Sequence, residues 1–240
     1  MELQGLHGQV VDRIGQSLAA DEIRAGEVLR LEDVQERYGV SRTVAREAVR
    51  VLESKQVVTS RPRIGITVRP MTAWNLYDPQ VIRWRLASPC REAQLRELAE
   101  LRAAVEPSAA ALAAAGADTA ARRALTAHAQ AMASAARERD SQGFIAADSA
   151  FHRALLSASG NGMFGQLSEV TEELLAARRD LRLMPDQIDT AAVQRHLEVA
   201  AAVAEGRPSD AAECVRAIVD AARSEVERLL EGVPHCTLGG

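Results

Sequence analysis

The segment RLEDVQERYGVSRTVAREAVRVLESKQ, from Arg30 to Gln56, constrains the fold more than any other stretch of the 240-residue chain. Its first half is a short helical run that Gly39 can stop in a left-handed C-terminal position. Ser41 is suited to cap a second helix, in which Val44, Ala48, Val49 and Leu52 form one apolar stripe. Two short helices separated by about three residues that include a glycine have the spacing of a helix-turn-helix. Upstream, Leu6, Val10, Ile14 and Leu18 recur at helical spacing, and AADEIRAGEVL then breaks that helix, with Gly26 as the turn residue. Downstream, VVTSRPRIGITV reads as two short β-prone runs joined by a basic turn containing Pro62 and Gly65. The order helix, helix, helix, hairpin predicts a winged helix over residues 1–70.

Pro70, Pro79 and Pro89 punctuate the next stretch, which also holds Trp74 and Trp84. It is expected to form a linker helix within residues 71–90. From Arg91 the chain is Ala-rich and periodic, with breaks near Gly116–Asp118, Asp140–Gly143, Gly160–Gly162, Pro185–Asp186 and Gly206–Asp210. These breaks predict about six helices of roughly 15–25 residues, in a second domain over residues 91–232. The fold class is therefore mainly α: a winged helix-turn-helix followed by an antiparallel helical bundle. Aromatic residues are only 3% of the chain while 47% is hydrophobic, so the core must be built from Ala, Leu and Val. No apolar run approaches the about 18 residues of a membrane span, and the N-terminus lacks a signal-peptide layout. A soluble, cytoplasmic protein with no membrane attachment is expected. Cys90, Cys214 and Cys236 are widely spaced without a CxxC pair and read as free thiols.

The formal net charge of −4 conceals an asymmetry. Residues 41–70 carry seven basic side chains (Arg42, Arg46, Arg50, Lys55, Arg61, Arg63, Arg69) against two acids (Glu47, Glu53). A short basic segment on an acidic chain marks a local phosphate-binding surface, or else a solvated charged face. Arg42 and Arg46 lie four apart at the start of the second helix, the part that faces base edges when such a helix enters the major groove. Ser41 and Thr43 are placed to donate to phosphates at the helix N-terminus. Arg61 and Arg63 in the wing turn would reach a phosphate or the minor groove, and Gly65 would let the backbone approach closely.

The stretch IRAGEVLRLEDVQERYGVSRTVAREAVRVLESKQVVTSRPRIGITVRP resembles the GntR family of bacterial transcription regulators. The likeness is carried by Gly26, Leu29, Gly39 to Thr43, Arg46 to Ala48, Arg63, Gly65 and Val68. It implies that Ser41, Arg42, Thr43, Arg46 and Gly65 contact DNA. Glu32 and Val44 depart from the usual pattern, and no phosphate contact is carried over to Glu32.

LAELRAAVEPSAAALAA, FIAADSAFHRALLSASGN and QRHLEVAAAVAEGRPSDAAECVRAIV resemble the FadR-type (FCD) effector domain, a bundle of six or seven helices. On residue grounds alone, Asp148 and His152 project from one helical face at a spacing suited to two ligands of one metal, with His196 as a third. The alternative is surface or capping groups. The resemblance implies a divalent metal such as zinc held by one Asp and three His, and Ile218 stands where the last His is usual. It also implies that Arg102 faces the effector pocket, as a clamp on a carboxylate; an ion pair with Glu106 is the alternative. Asn161 is either a further effector contact or a helix cap. His128 and His235 match no ligand position.

Together these features point to a homodimeric repressor on double-stranded operator DNA, released by a small carboxylate effector. WNLYDPQVIRWRL looks like the linker of regulators that respond to sugar acids such as gluconate or galactonate. Two other readings stay open. One is a dimeric DNA-binding protein with neither metal nor effector. The other is a metal-dependent hydrolase, against which stands the lack of a placed general base.

Overall fold

A computed structural model describes residues 6–180 and 190–229. The described chain forms two compact units that divide after Gln94.

The first unit opens with α1 (Leu6–Ala19), followed by β1 (Val28–Leu29), α2 (Leu31–Tyr38) and α3 (Arg42–Ser54). The wing is β2 (Val58–Arg61) and β3 (Gly65–Val68). A short 3-10 turn at Met71–Ala73 then leads to α4 (Pro79–Leu86). Gly39 ends α2 at φ 65°, ψ 38°, and Ser41 caps α3 by accepting from the Val44 N–H at 3.3 Å. These are the local signals that define the helix-turn-helix. On α3, Ala45, Ala48, Val49 and Leu52 are buried with Val10, Ile14 and Leu18 of α1. Burial of that stripe leaves Arg42, Arg46 and Arg50 exposed on the other face.

The wing carries a third strand that sequence alone did not suggest. The order is β1-β3-β2, all antiparallel, with Arg61 opposite Gly65 and Leu29 opposite Ile66. A strand of two residues is too short to show any alternation. Its presence gives Gly65 a structural role as well: φ is +114°, and a Cβ there would lie 2.9 Å from the Leu29 carbonyl oxygen.

α4 belongs to this same unit. Asp78 caps it, accepting from the Gln80 and Val81 N–H groups, and also pairs with Lys55 Nζ at 2.8 Å. Trp84 is 1% exposed and packs in the core with Ile14 and Trp74. Its indole Nε1 donates to Asp12 Oδ1 at 2.9 Å, as does Gln80 Nε2 at 2.6 Å. α4, within the stretch expected to hold a linker helix, is packed onto α1 through Trp84.

The second unit is an all-helical bundle: α5 (Arg91–Gly116, in this unit from Leu95), α6 (Thr119–Glu138), α7 (Ser141–Ala158), α8 (Gly162–Gln166), α9 (Ser168–Asp180), α10 (Thr190–Ala204) and α11 (Pro208–Leu229). Asp118, Asp140 and Asn161 cap α6, α7 and α8 through their side-chain oxygens. α6 packs on α7 and on α10, and α10 on α11. Their shared core joins Ala110, Ala113 and Ala129 to Leu125, Phe151, Leu155 and Val203. Small side chains let these helices approach closely, which is how a chain so poor in aromatics closes a core. The expected break at 160–162 is followed by a short extra helix, α8. The break expected at Pro185–Asp186 lies outside the described residues.

The expectation of free thiols fails at one position. Cys90 is disulfide-bonded, whereas Cys214 is free; Cys236 lies outside the described residues. Spacing along the chain does not report which thiols a fold brings together.

The Trp84 contact is testable. A Cβ on Gly15 would sit 2.2 Å from the Trp84 ring. Gly15→Val should therefore lower stability by about 1–3 kcal/mol, even though a helical glycine is normally improved by substitution. Chemical denaturation of the full chain, followed by tryptophan fluorescence, measures it.

Candidate functional site

Two places in the structure gather chemistry-bearing side chains, one in each unit. In the first unit, a groove of about 900 Å³ runs between α3 and the wing. It is lined by Arg42, Arg46 and Arg50 from α3, Arg61, Arg63 and Gly65 from the wing, and Arg30 beside α2. Ser41 and Thr43 are exposed at the α3 N-terminus but are not among the groove-lining residues. Arg30 was not singled out in the sequence, and Arg50 was counted in the basic segment without being read as a DNA contact. Arg50 was findable, because it is one further turn along the face that holds Arg42 and Arg46.

Two acids interrupt this basic surface in different ways. Glu53 accepts from the Ser60 N–H at 2.6 Å and so ties α3 to the wing. Glu32 stands 3.7 Å from Arg42, with both side chains largely exposed. An ion pair so open to water is worth little and can be given up when another anion arrives.

In the second unit, five polar residues meet inside the bundle. α7 supplies Asp148 and His152, α10 supplies His196, and α5 supplies Arg102 and Glu106; all five are buried. Asp148 Oδ1 lies 3.1 Å from His196 Nε2 and 3.5 Å from His152 Nε2, and the two Nε2 atoms are 3.4 Å apart. Each ring is anchored by its other nitrogen. His196 Nδ1 lies 2.7 Å from the Ala192 carbonyl oxygen, and His152 Nδ1 is 2.9 Å from Glu106 Oε2. With hydrogens on Nδ1, both Nε2 atoms would offer their lone pairs to a cation lying between them and Asp148 Oδ1.

That arrangement fits a divalent cation. Donor atoms 3.1–3.5 Å apart have the separation of ligands sharing one ion at about 2.1 Å, and the anchoring of each outer nitrogen is the support such ligands need. Ile218, at the position of the usual fourth ligand, is buried in the apolar core of the bundle. His128 is half-buried on α6, away from the three convergent donors. His235 lies outside the described residues.

Arg102 engages Glu106 with Nε at 2.6 Å and Nη2 at 3.2 Å. The sequence offered this ion pair as the alternative to an effector clamp, and the structure contains it. Nη2 is also 3.1 Å from His152 Nε2 and 3.3 Å from Nδ1. An atom on the lone-pair axis of one ring nitrogen would stand much farther from the other. The guanidinium therefore lies beside the ring and does not occupy the Nε2 lone pair. Asn161 caps α8, its Oδ1 accepting from the Met163 N–H at 2.9 Å.

The charges are strongly coupled. Burial opposes ionisation of Glu106, but Arg102 and His152 outweigh it and hold the carboxyl down at about 2. Burial likewise opposes the charged form of Asp148, and its bonds to His152 and His196 overcome this, placing it well below the usual carboxylate range. For His152, burial disfavours the proton, yet the Glu106 charge prevails and raises its affinity for one. Two carboxylates against one guanidinium leave the neutral-histidine cluster one negative charge in excess, which suits a cation.

Residues 6–68 match the family described as bacterial regulatory proteins, gntR family, and residues 97–221 match the FCD domain. The chain belongs to the GntR family of bacterial regulators that carry an FCD domain. It is a DNA-binding transcription regulator and not an enzyme. Among curated relatives, it is 27% identical to the galactonate operon transcriptional repressor of Escherichia coli, over 75% of this chain and 78% of that one. It is 34% identical to the uncharacterised HTH-type regulator YieP of Escherichia coli, over 44% of this chain and only 46% of that relative. Among solved structures, Lar of Listeria monocytogenes superposes with a TM-score of 0.61 at 17% identity, covering 95% of this chain and all of that one. A GntR protein of Streptococcus agalactiae gives 0.52 at 20% identity, covering 91% and 99%. At these identities the structural likeness speaks for the fold.

The buried pair has a stability signature. Arg102→Met should cost about 3–5 kcal/mol, because it strands a buried carboxylate. Arg102→Met combined with Glu106→Gln should recover much of that loss. Urea denaturation of the three proteins decides it.

Proposed function

We propose that this regulator is a homodimeric, cytoplasmic repressor whose DNA affinity is lowered by a small carboxylate held in the helical domain. The observation that carries the DNA half is the groove between α3 and the wing, where six arginines meet. Arg42 and Arg46 would read base edges in the major groove, with Ser41 and Thr43 on phosphates. Arg61 and Arg63, with Gly65 between β1 and the turn, would take the minor groove or flanking phosphates. Two heads related by a two-fold axis call for a palindromic operator.

The sensing half rests on the donor cluster. Asp148, His152 and His196 would hold a divalent cation such as zinc, and with Ile218 contributing no ligand the ion would keep positions free for water or effector. A bound cation would supply positive charge for a carboxylate. Arg102 adds a second, but its Nε–Nη2 edge is already engaged with Glu106. The effector would therefore meet the Nη1 side of the guanidinium, while Glu106 keeps that guanidinium in place. Asn161 is proposed as an outer contact only if it leaves its capping bond. A sugar acid is the effector class favoured by the similarity to the galactonate operon repressor. Effector binding is expected to shift operator affinity through a coupling of about 1–3 kcal/mol.

Several outcomes test this reading. Operator sites selected from random DNA should be palindromic. Arg46→Ala should weaken them by about 1–3 kcal/mol and relax one position per half-site. Arg63→Ala should weaken all sequences alike and lower the salt slope by about one. Gel shifts with galactonate, gluconate and related acids should show operator release; no response to any organic acid would reject the sensing half. Zinc affinity should rise with pH, because His152 holds its proton more tightly than a free imidazole and must release it to act as a ligand. Calorimetry at two pH values measures both the affinity and the proton released.

A further inference from the structure

Glu106 lies outside every ligand set read from the sequence, yet it touches a ligand residue directly. It is 1% exposed on α5, and Arg102 engages both of its oxygens while one of them, Oε2, also faces His152. Oε1 accepts from Arg102 Nε at 2.6 Å, and Oε2 stands 2.9 Å from His152 Nδ1. A carboxylate can only accept, and Glu106 Oε2 is nearer to Nδ1 than Asp148 Oδ1 is to Nε2 (2.9 against 3.5 Å), so a neutral His152 is drawn to carry its hydrogen on Nδ1. The Nε2 lone pair is then the one presented to Asp148 and His196. Without such an anchor a neutral imidazole can place its proton on either nitrogen and turn its ring.

The other ring of the cluster is held differently. His196 Nδ1 is anchored on the Ala192 carbonyl, one helical turn back on its own helix. That anchor is backbone and survives any side-chain change. His152 depends on a side chain from another helix, and that side chain is itself clamped by Arg102. A carboxylate behind a ligand imidazole also raises its basicity. This matters more where Ile218 leaves the donor set one short.

We propose that Glu106 is a positioning residue: it fixes the proton of His152 on Nδ1 and delivers Nε2 to a divalent cation. Arg102 serves it by holding the carboxylate. The inference rests on the cation-binding reading of Asp148, His152 and His196.

The test uses the full chain as wild type, Glu106→Gln, and the charge-neutral pair Arg102→Gln with Glu106→Gln, which guards against misfolding from a stranded arginine. Ring 15N shifts of His152 are recorded without metal, at a pH where the ring is neutral, and Co2+ is titrated while its visible spectrum is followed. In the wild type Nδ1 should carry the hydrogen. A glutamine amide can accept or donate, so in the variants the tautomers should mix and Co2+ should bind about 10–100-fold more weakly. A wild-type His152 protonated on Nε2, or folded variants that bind Co2+ as tightly as wild type, would overturn the role of Glu106. Failure of the wild type itself to bind Co2+ would instead overturn the cation-binding reading, and this inference with it.

Discussion

Burial of one face of α3 is the constraint on which the DNA-facing surface depends. Ala45, Ala48, Val49 and Leu52 are drawn against α1 because their apolar area leaves water. A helix has one rotational setting that does this, so the opposite face is decided at the same moment. Arg42, Arg46 and Arg50 are carried outward by that packing, not by the exposed ion pairs that Arg42 and Arg50 make with Glu32 and Glu47. The wing is then positioned beside them by ladder bonds to β1 and by the Glu53 carboxylate on the Ser60 N–H. A groove dominated by arginines follows from packing that is largely uncharged.

The helical domain uses the reverse arrangement. Arg102, Glu106, Asp148, His152 and His196 point inward from three helices and are all buried. Charges in such a place must satisfy one another, because each lost its hydration in getting there. Arg102 satisfies Glu106, Glu106 orients His152, and both histidines meet Asp148. Local pattern says apolar inside and polar outside, and the departure from it marks a functional locus. With both histidines neutral the cluster also carries one negative charge in excess, which a cation would complete.

Much of the head was legible in its residues. Gly39 and Ser41 act within one turn of their own positions, so their roles as helix stop and cap could be read directly. The hairpin and the arginine-bearing face were equally local. β1 escaped notice because two residues carry no period, and the docking of α4 because nothing local ties Trp84 to Gly15. In the bundle, Asp148 and His152 were legible as a pair because they are one turn apart. Glu106 was seen only as a partner for Arg102, its neighbour on the same helix.

The sequence by itself determined which residues share a face, where helices begin and stop, and which segment is basic. Each of these is set by interactions between residues a few positions apart. Only the tertiary structure decided which faces meet. His152 and His196 are separated by 44 positions, yet their Nε2 atoms lie 3.4 Å apart. Periodicity specifies that a face is buried but not against what, so the joining of Glu106 to that pair had to come from the packing of α5, α7 and α10. The same holds for Gly65, whose chain position suggested room for DNA and whose fold also requires room for the Leu29 carbonyl.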